Sequence, residues 1–241
     1  MRIEVFAHRG ASFDFAEQSR ESFQAAIAQG ADGIECDVRL TKDRVAFCWH
    51  DRDLKRLTGN PALISESFAR EITSMRIRDF GLENGRGELR EGTPITFEEL
   101  ILLAKDAQIP ILAETKHPVR SGSAVEREIA RLVKRHKVEI KILSFSFTAI
   151  RRAEELMPEI EHVQLLQHAT LLPIASAPYL GLDLEMILRD PEIVAASQKR
   201  GKKVFVWTVN EDKDVELVAK LGVNGIITDK PARVRSLLGY A

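Results

Sequence analysis

Strand-like and helix-like segments alternate along almost the whole chain. Short apolar runs that read as strands occupy residues 3–7, 33–38, 110–113, 140–145, 161–166, 179–184, 203–207 and 225–228. A ninth run, 45–49, follows the second across a polar step and is predicted to be the return arm of a β-hairpin. Counted in this way, eight strand-then-helix repeats predict an α/β fold, a (β/α)8 TIM barrel. A doubly wound open sheet is the alternative. Such a fold would require a glycine-rich phosphate-binding loop after the first strand, and the residues there, His8-Arg9-Gly10-Ala11, do not form one.

Helix start signals lie between several of these runs. Ser19 is predicted to cap the helix after the first strand. Thr96-x-x-Glu99 forms a capping box that opens the helix before the third strand. Asn210 is predicted to cap the helix after the seventh strand.

Length and charge restrict the class of protein. A chain of 241 residues fits one large domain as well as two small ones, and the barrel prediction treats 1–241 as a single domain. The net charge of −1 gives no reason to expect nucleic acid or an anionic membrane as partner. The sequence has neither an apolar run long enough to span a membrane nor the layout of a signal peptide, so the protein is expected to be cytoplasmic. The sequence leaves open whether it forms an oligomer. Cys36 and Cys48 imply no disulfide framework, so free thiols are expected.

The hairpin at 33–51 carries two acids on one face. Because strand side chains alternate, Glu35 and Asp37 point to the same side, and Cys36 points to the other. Folding back about the turn brings His50 level with residues 35–37. A solvated edge face is the ordinary explanation for such acids. A cation site is better supported, because strands this apolar are normally covered on both sides and a buried unpaired carboxylate costs on the order of several kcal/mol.

In a barrel, the carboxyl ends of the strands converge on one mouth. The side chains predicted to meet there are His8, Arg9, Glu35, Asp37, His50, Glu114 and Lys116. Three carboxylates and no thiol on that face suit a hard divalent cation, Mg²⁺, Ca²⁺ or Mn²⁺, better than zinc. Without a cation, repulsion among the carboxylates would hold at least one of them protonated.

The basic and imidazole groups at this mouth point to phosphate chemistry. Arg9 and Lys116 add fixed positive charge beside a cationic metal, which implies an anionic ligand, most naturally a phosphate. His8 and His50 can divide the work of general base and general acid. A lone His8 would more often be a structural imidazole, and its pairing with His50 and the charged groups favours catalysis.

Several motifs together resemble a known family. They are His8-Arg9-Gly10, Gly30-Ala31-Asp32-Gly33-Ile34-Glu35-Cys36-Asp37-Val38, Thr41-Lys42-Asp43, His50-Asp51-x-x-Leu54-x-Arg56-x-Thr58, Glu114-Thr115-Lys116, Val206-Trp207-Thr208-Val209-Asn210 and Gly222-Val223-Asn224-Gly225-Ile226-Ile227-Thr228-Asp229. Their order and spacing resemble those of the glycerophosphodiester phosphodiesterases, relatives of phosphatidylinositol-specific phospholipase C. The resemblance spans almost the whole chain.

The resemblance implies a TIM barrel and assigns roles to the residues at its mouth. It implies metal ligands at Glu35, Asp37 and Glu114. The acid and base pair would be His8 and His50, and the phosphate clamp would be Arg9 and Lys116. Residues 51–94 would be an insertion that helps cover the site.

Two further residues are candidates for substrate binding. Ala16-Glu17-Gln18-Ser19 stands where the family usually has Pro-Glu-Asn-Thr, so Glu17 is retained. Its role stays open between a partner for Arg9 and a further cation contact. Trp207, at a strand end, either walls a substrate pocket or fills the core.

The resemblance implies a metal-dependent enzyme that releases glycerol 3-phosphate and an alcohol from a glycerophosphodiester, using Mg²⁺ or Ca²⁺, with Mn²⁺ as a third candidate. No activated serine or cysteine lies at the predicted site, which favours attack by the substrate's own hydroxyl and a cyclic phosphate. One alternative is a Schiff-base aldolase using Lys116, although nearby acids raise a lysine's pKa. The other is a non-catalytic barrel that binds phosphate esters. The alcohol headgroup and the physiological metal stay open.

Overall fold

The barrel is formed by strands distributed along the entire chain. The computed structural model describes residues 2–80, 87–119 and 121–240. Its strands are β1 (Glu4–His8), β2 (Gly33–Leu40), β3 (Ala46–Cys48), β4 (Asp53–Leu54), β5 (Asn60–Leu63), β6 (Ile77–Asp79), β7 (Arg90–Gly92), β8 (Ile111–Thr115), β9 (Ile140–Ser144), β10 (Glu161–Leu166), β11 (Tyr179–Asp183), β12 (Lys203–Trp207) and β13 (Gly225–Thr228). β1, β2 and β8 to β13 pair in parallel, and β1 closes the barrel by pairing with both β2 and β13. The TIM-barrel prediction is confirmed.

Helices cover the outside of this barrel. They are α1 (Arg20–Ala28), α2 (Lys55–Thr58), α3 (Ala69–Thr73), α4 (Phe97–Asp106), α5 (Ala124–His136), α6 (Phe147–Leu156), α7 (Leu184–Arg189), α8 (Glu192–Lys199), α9 (Asp212–Lys220) and α10 (Pro231–Leu237). Between β10 and β11 a 3₁₀ helix, Ala169–Ile174, takes the place of an α-helix. Throughout the described ranges, every helix is too short or too polar to cross a lipid bilayer.

Two of the three predicted helix caps are confirmed. The Ser19 side chain accepts a hydrogen bond from the Ser22 amide, and Thr96 and Glu99 form the expected reciprocal capping box. The prediction for Asn210 is wrong, because α9 begins one residue later than expected and its N-cap is Glu211. The Asn210 side chain instead bonds to Asp229, where a tertiary contact replaces the local cap.

The barrel interior explains why the site lies at one end. Phe6, Leu112 and Phe205 belong to the buried apolar cluster inside the barrel. Two residues further along the same strands, and therefore on the same inward face, stand His8, Glu114 and Trp207. The apolar layer thus fills the barrel up to the height at which the polar side chains begin. Gly33 has no room for a side chain, since a Cβ there would lie 2.6 Å from Cε1 of Phe6.

The hairpin and the segment after it form a small separate layer. β3 pairs antiparallel with the end of β2, with Val38 opposite Cys48, as the hairpin prediction requires. The segment 51–94 contains the two-stranded sheets β4–β5 and β6–β7. Its apolar side chains, with Leu57 and Ile72 among them, pack on Phe47 and Trp49 of the hairpin. This packing fixes the segment next to His50.

Candidate active site

Strand register brings three carboxylates together. β1, β2 and β8 are neighbours, and their pairing sets His8 beside Glu35 and Asp37 beside Glu114. One oxygen from each of Glu35, Asp37 and Glu114 lies within 4.8 Å of the other two. All three side chains are buried, which is costly for carboxylates unless cations or protons compensate them.

The pKa values of these three carboxyls indicate what would compensate their negative charge. Burial, followed by the charge of Asp37, raises the pKa of Glu35 to about 7 and that of Glu114 to about 8. Burial also opposes ionisation of Asp37, but Lys116 and Arg9 outweigh it and hold its pKa well below the usual range. Two carboxyls whose pKa values are raised toward neutral pH, beside an ionised third, are a donor set that a divalent cation fits, since the cation would compete with their protons.

The basic side chains at the mouth already contact carboxylates. Lys116 Nζ lies 2.7 Å from Asp37 Oδ1 and 2.8 Å from Glu114 Oε1. Burial lowers the pKa of Lys116, but these two carboxylates outweigh it, so the net shift is upward. A Schiff-base nucleophile needs a neutral amine, and this environment stabilises the ammonium form instead. The geometry therefore disfavours the aldolase alternative.

Glu17 lies between two arginines. Its Oε1 is 3.1 Å from Arg9 Nη1 and 2.7 Å from Arg56 Nη2, a residue of the segment 51–94. Burial raises the pKa of Glu17, but both guanidinium groups outweigh it and the pKa lies below the usual value. Arg9 Nε lies 3.1 Å from Asp37 Oδ2. Two roles were open for Glu17, a partner for Arg9 and a further cation contact. The structure places Glu17 beside Arg9, in the position of a partner.

Gln18 is a site residue that the sequence reasoning did not single out. Its Nε2 donates to Asp37 Oδ2 at 2.7 Å, and its side chain is fully buried. The backbone at Gln18 has a φ of 57°, in the left-handed region, which turns the amide toward Asp37. The sequence could have pointed to Gln18 through its place in the motif, where the family usually has asparagine. Asparagine adopts this left-handed backbone conformation more readily.

His8 is held by a carboxylate that directly follows the last strand. Its Nδ1 lies 2.7 Å from Asp229 Oδ1, which also accepts from Ser12 Oγ at 2.9 Å. Asn210 Nδ2 donates to the other oxygen of Asp229 at 2.6 Å. Burial and the charge of Arg9 disfavour the imidazolium, but Asp229 and Glu35 outweigh them, so the pKa of His8 is raised.

His50 is likewise held by a carboxylate. Its Nδ1 lies 2.8 Å from Asp51 Oδ1, and Asp51 Oδ2 accepts from Arg56 Nε at 2.7 Å. The hydrogen bond from the Trp49 amide to the Asp37 carbonyl, 2.9 Å long, sets the end of the hairpin beside the carboxylates. In both histidines Nδ1 is occupied by a carboxylate, so Nε2 is the nitrogen that can contact a ligand, and Nε2 of His8 lies 4.0 Å from Glu35 Oε2. Asp51 and Asp229 entered the sequence analysis only as parts of motifs.

One cavity of about 170 Å³ joins these groups. Its polar side is formed by His8, Arg9, Glu35, His50, Glu114 and Lys116. Its lining also includes Phe145 and Trp207, whose rings meet edge to face with centroids 5.4 Å apart. The Trp207 Nε1 donates to the Gly181 carbonyl at 3.1 Å, which fixes the ring at the cavity wall. A site lined by both charged and aromatic side chains can hold a molecule with a phosphate and a small organic group.

Comparisons with known proteins show which family the chain resembles. A model of the glycerophosphoryl diester phosphodiesterase family matches residues 8–233. A probable glycerophosphodiester phosphodiesterase 1 of Mycobacterium tuberculosis is 32% identical over 254 residues, covering 97% of this chain and 92% of that protein. The crystal structure of a glycerophosphodiester phosphodiesterase from Parabacteroides distasonis matches with a TM-score of 0.80 at 26% identity, covering 98% of this chain and 97% of that one. A phosphodiesterase from Oleispira antarctica, solved with the product sn-glycerol-3-phosphate, matches with a TM-score of 0.86 at 22% identity, covering 98% and 96%.

Proposed function

The chain belongs to the glycerophosphoryl diester phosphodiesterase family, and we propose that it hydrolyses glycerophosphodiesters to glycerol 3-phosphate and an alcohol in a metal-dependent reaction. The observation that carries this proposal is the meeting of three buried carboxylates and two carboxylate-held histidines around one cavity. The likeness to named phosphodiesterases supports the same class of enzyme. A cytoplasmic location stays a prediction.

Glu35, Asp37 and Glu114 would hold the metal. An all-oxygen donor set favours a hard divalent cation, Mg²⁺ or Ca²⁺, with Mn²⁺ as a third candidate. When bound, the cation supplies positive charge that polarises a phosphodiester and acidifies an adjacent hydroxyl group. Gln18, through its bond to Asp37, would keep that carboxylate in place.

Arg9 and Lys116 would bind the phosphate. Both line the cavity, and the carboxylates behind them fix their positions before any ligand arrives. Arg9 is further held by Glu17, which also contacts Arg56 from the segment 51–94. We include this segment in the proposal as a cover on one side of the site, since Arg56 joins it to both Glu17 and Asp51.

His8 and His50 would move the protons. With Nδ1 held by Asp229 in one case and Asp51 in the other, each Nε2 would serve the substrate, and that of His8 lies 4.0 Å from Glu35 Oε2. One imidazole removes the proton of the glycerol hydroxyl next to the phosphate, and that oxygen attacks phosphorus. The other gives its proton to the departing alcohol as the phosphorus–oxygen bond breaks. Water then opens the resulting cyclic phosphate with the proton roles reversed, yielding glycerol 3-phosphate.

Release of glycerol 3-phosphate tests the proposed function. Diesters with choline, ethanolamine, glycerol and inositol as the alcohol, incubated with the protein and a divalent cation, should each give glycerol 3-phosphate plus the free alcohol. A coupled glycerol 3-phosphate dehydrogenase assay measures the rate. Binding of these diesters without any turnover would instead support a non-catalytic phosphate-ester binding barrel.

A deoxy substrate tests the route through a cyclic phosphate. Removing the glycerol hydroxyl adjacent to the phosphate should lower kcat by at least about 100-fold, because attack from within the substrate loses its proximity advantage. Removing the terminal glycerol hydroxyl is the matched control and should change kcat much less. Equal kcat for the two analogues, with no cyclic species in rapid-quench phosphorus NMR, would indicate direct attack by water.

A further inference from the structure

A second cavity of about 390 Å³ adjoins the active site. Lys116 lines both cavities, so they meet at the side chain proposed to bind phosphate. The walls of the second cavity come from the end of β2, the 3₁₀ helix Ile64–Glu66 in the segment 51–94, and residues just after β8. A diester held at Lys116 has two ester arms, and this cavity offers space for one of them.

Two arginines give this cavity a positive character. Arg39 lies on the same face of β2 as Glu35 and Asp37, two residues beyond the second acid, and it lines the cavity together with Arg52. Arg39 is half-buried, and its Nε donates to the His50 carbonyl at 2.8 Å. This bond fixes the guanidinium at the border between the two cavities.

The charge of Arg39 is partly compensated by Asp37, Glu114 and Asp51, which act on it from beyond ion-pair distance. Over residues 2–80, 87–119 and 121–240, neither Arg39 nor Arg52 forms an ion pair with a carboxylate. The other basic groups at the mouth differ in this respect, because Arg9, Arg56 and Lys116 each contact a carboxylate. A lone solvated arginine is ordinary, but two of them bordering one cavity, beside the clamp, form a region that attracts anions.

Apolar side chains line the rest of the cavity. Leu40, Leu63, Ile64, Val119 and Val125 contribute to its walls. Such walls exclude water in part and strengthen the attraction between a guanidinium and an anion. Glu66, which is exposed, is the acidic residue among the described lining residues, and it pairs with neither arginine.

We infer that this cavity binds the alcohol arm of the substrate, and that it favours an alcohol that carries a second anionic group, a phosphate monoester or a carboxylate. The inference rests on the proposed function, since it takes the phosphodiester to lie at Lys116. Guanidinium groups recognise phosphate and carboxylate through paired hydrogen bonds, and Arg39 and Arg52 have donors available for them. The enzyme would therefore discriminate among glycerophosphodiesters by the charge of the departing alcohol.

Two synthetic diesters built on the same diol test this inference. In the first, glycerol 3-phosphate is esterified to propane-1,3-diol, and in the second the free end of that diol carries a phosphate monoester. The wild-type protein should turn over the phosphorylated diester with a kcat/KM about tenfold higher, and added salt should reduce this preference. The rate of glycerol 3-phosphate release is the measurement for both.

Variants of the exposed arginine separate the subsite from the catalytic groups. R52Q should lower kcat/KM for the phosphorylated diester by about fivefold, mainly through KM, and leave the neutral diester unchanged, because only the charged arm meets Arg52. R52K, which retains the charge but not the paired donors, should keep only part of the preference. R76Q is the matched control, since Arg76 is another exposed arginine of the segment 51–94 and does not line this cavity.

The outcomes distinguish the subsite from the reaction itself. Turnover of both diesters with equal kcat/KM, or an equal effect of R52Q on both, overturns the anionic subsite and leaves the proposed function standing. If neither diester releases glycerol 3-phosphate, the proposed function is overturned, and this inference falls with it.

Discussion

Removal of divalent cations should abolish turnover, and adding back Mg²⁺, Ca²⁺ or Mn²⁺ should restore it for the ion that the site accepts. The physical reason is the cluster of Glu35, Asp37 and Glu114, whose oxygens lie within 4.8 Å of one another in a buried position. Glu114→Gln should lower both cation affinity and kcat by at least about 100-fold, since it removes one of three ligands. Measurements after exhaustive chelation, with metal content determined by mass spectrometry, check this prediction.

The control and the pH dependence make the metal prediction more specific. Glu139→Gln, a change at an exposed carboxylate, should leave cation affinity intact. Because the pKa of Glu35 is about 7 and that of Glu114 about 8, protons compete with the cation, and its affinity should rise as pH increases through this range. Full activity of the chelated, metal-free protein would contradict the metal proposal.

The same two pKa shifts also predict a stability trend without the cation. Both carboxyls have a folded-state pKa above the ordinary glutamate value of 4.5, so the folded protein holds protons that the unfolded chain has released. Their favourable contribution is present below that value and is lost as pH rises toward about 8. The melting temperature of the cation-free protein should therefore fall across this window, and the bound cation should reverse the fall at the upper end.

His8→Ala and His50→Ala should each lower kcat by at least about 100-fold while cation affinity is retained. Both side chains line the active-site cavity, and in both Nδ1 is held by a carboxylate that is not one of the proposed metal ligands. Proton transfer to and from substrate is then their contribution, and its loss falls on the chemical step. Steady-state kinetics combined with calorimetric titration of the cation separates the two effects.

His168→Ala is the matched control for the histidine variants. This histidine is exposed and does not line the active-site cavity, so neither kcat nor cation affinity should change appreciably. If His8→Ala or His50→Ala instead empties the metal site, that histidine is a metal ligand. Zinc would then become a credible ion, because imidazole nitrogen suits it better than it suits Mg²⁺ or Ca²⁺.

The architecture could be predicted from the sequence because its signals are local. Alternation of side chains placed Glu35 and Asp37 on one face, and the repeat of strand and helix predicted the barrel that the structure confirms. The cap at Thr96 is likewise a matter of four consecutive residues. Asn210 shows the limit of local reasoning, because its side chain meets Asp229, nineteen positions away, and not the helix that follows it.

The sequence by itself determined which side chains stand at the strand ends and which of them share a face. The reason is that side chains alternate in direction along any strand, which is a property of the covalent chain. Only the tertiary structure decided what each of them contacts. Barrel closure sets His8 beside both Glu35 and Asp229, although Asp229 is 221 residues away. Folding of the segment 51–94 likewise brings Arg56 to Glu17. The physical reason is that ion pairs and pKa shifts depend on distance and burial, which arise only when strands remote in sequence pack side by side.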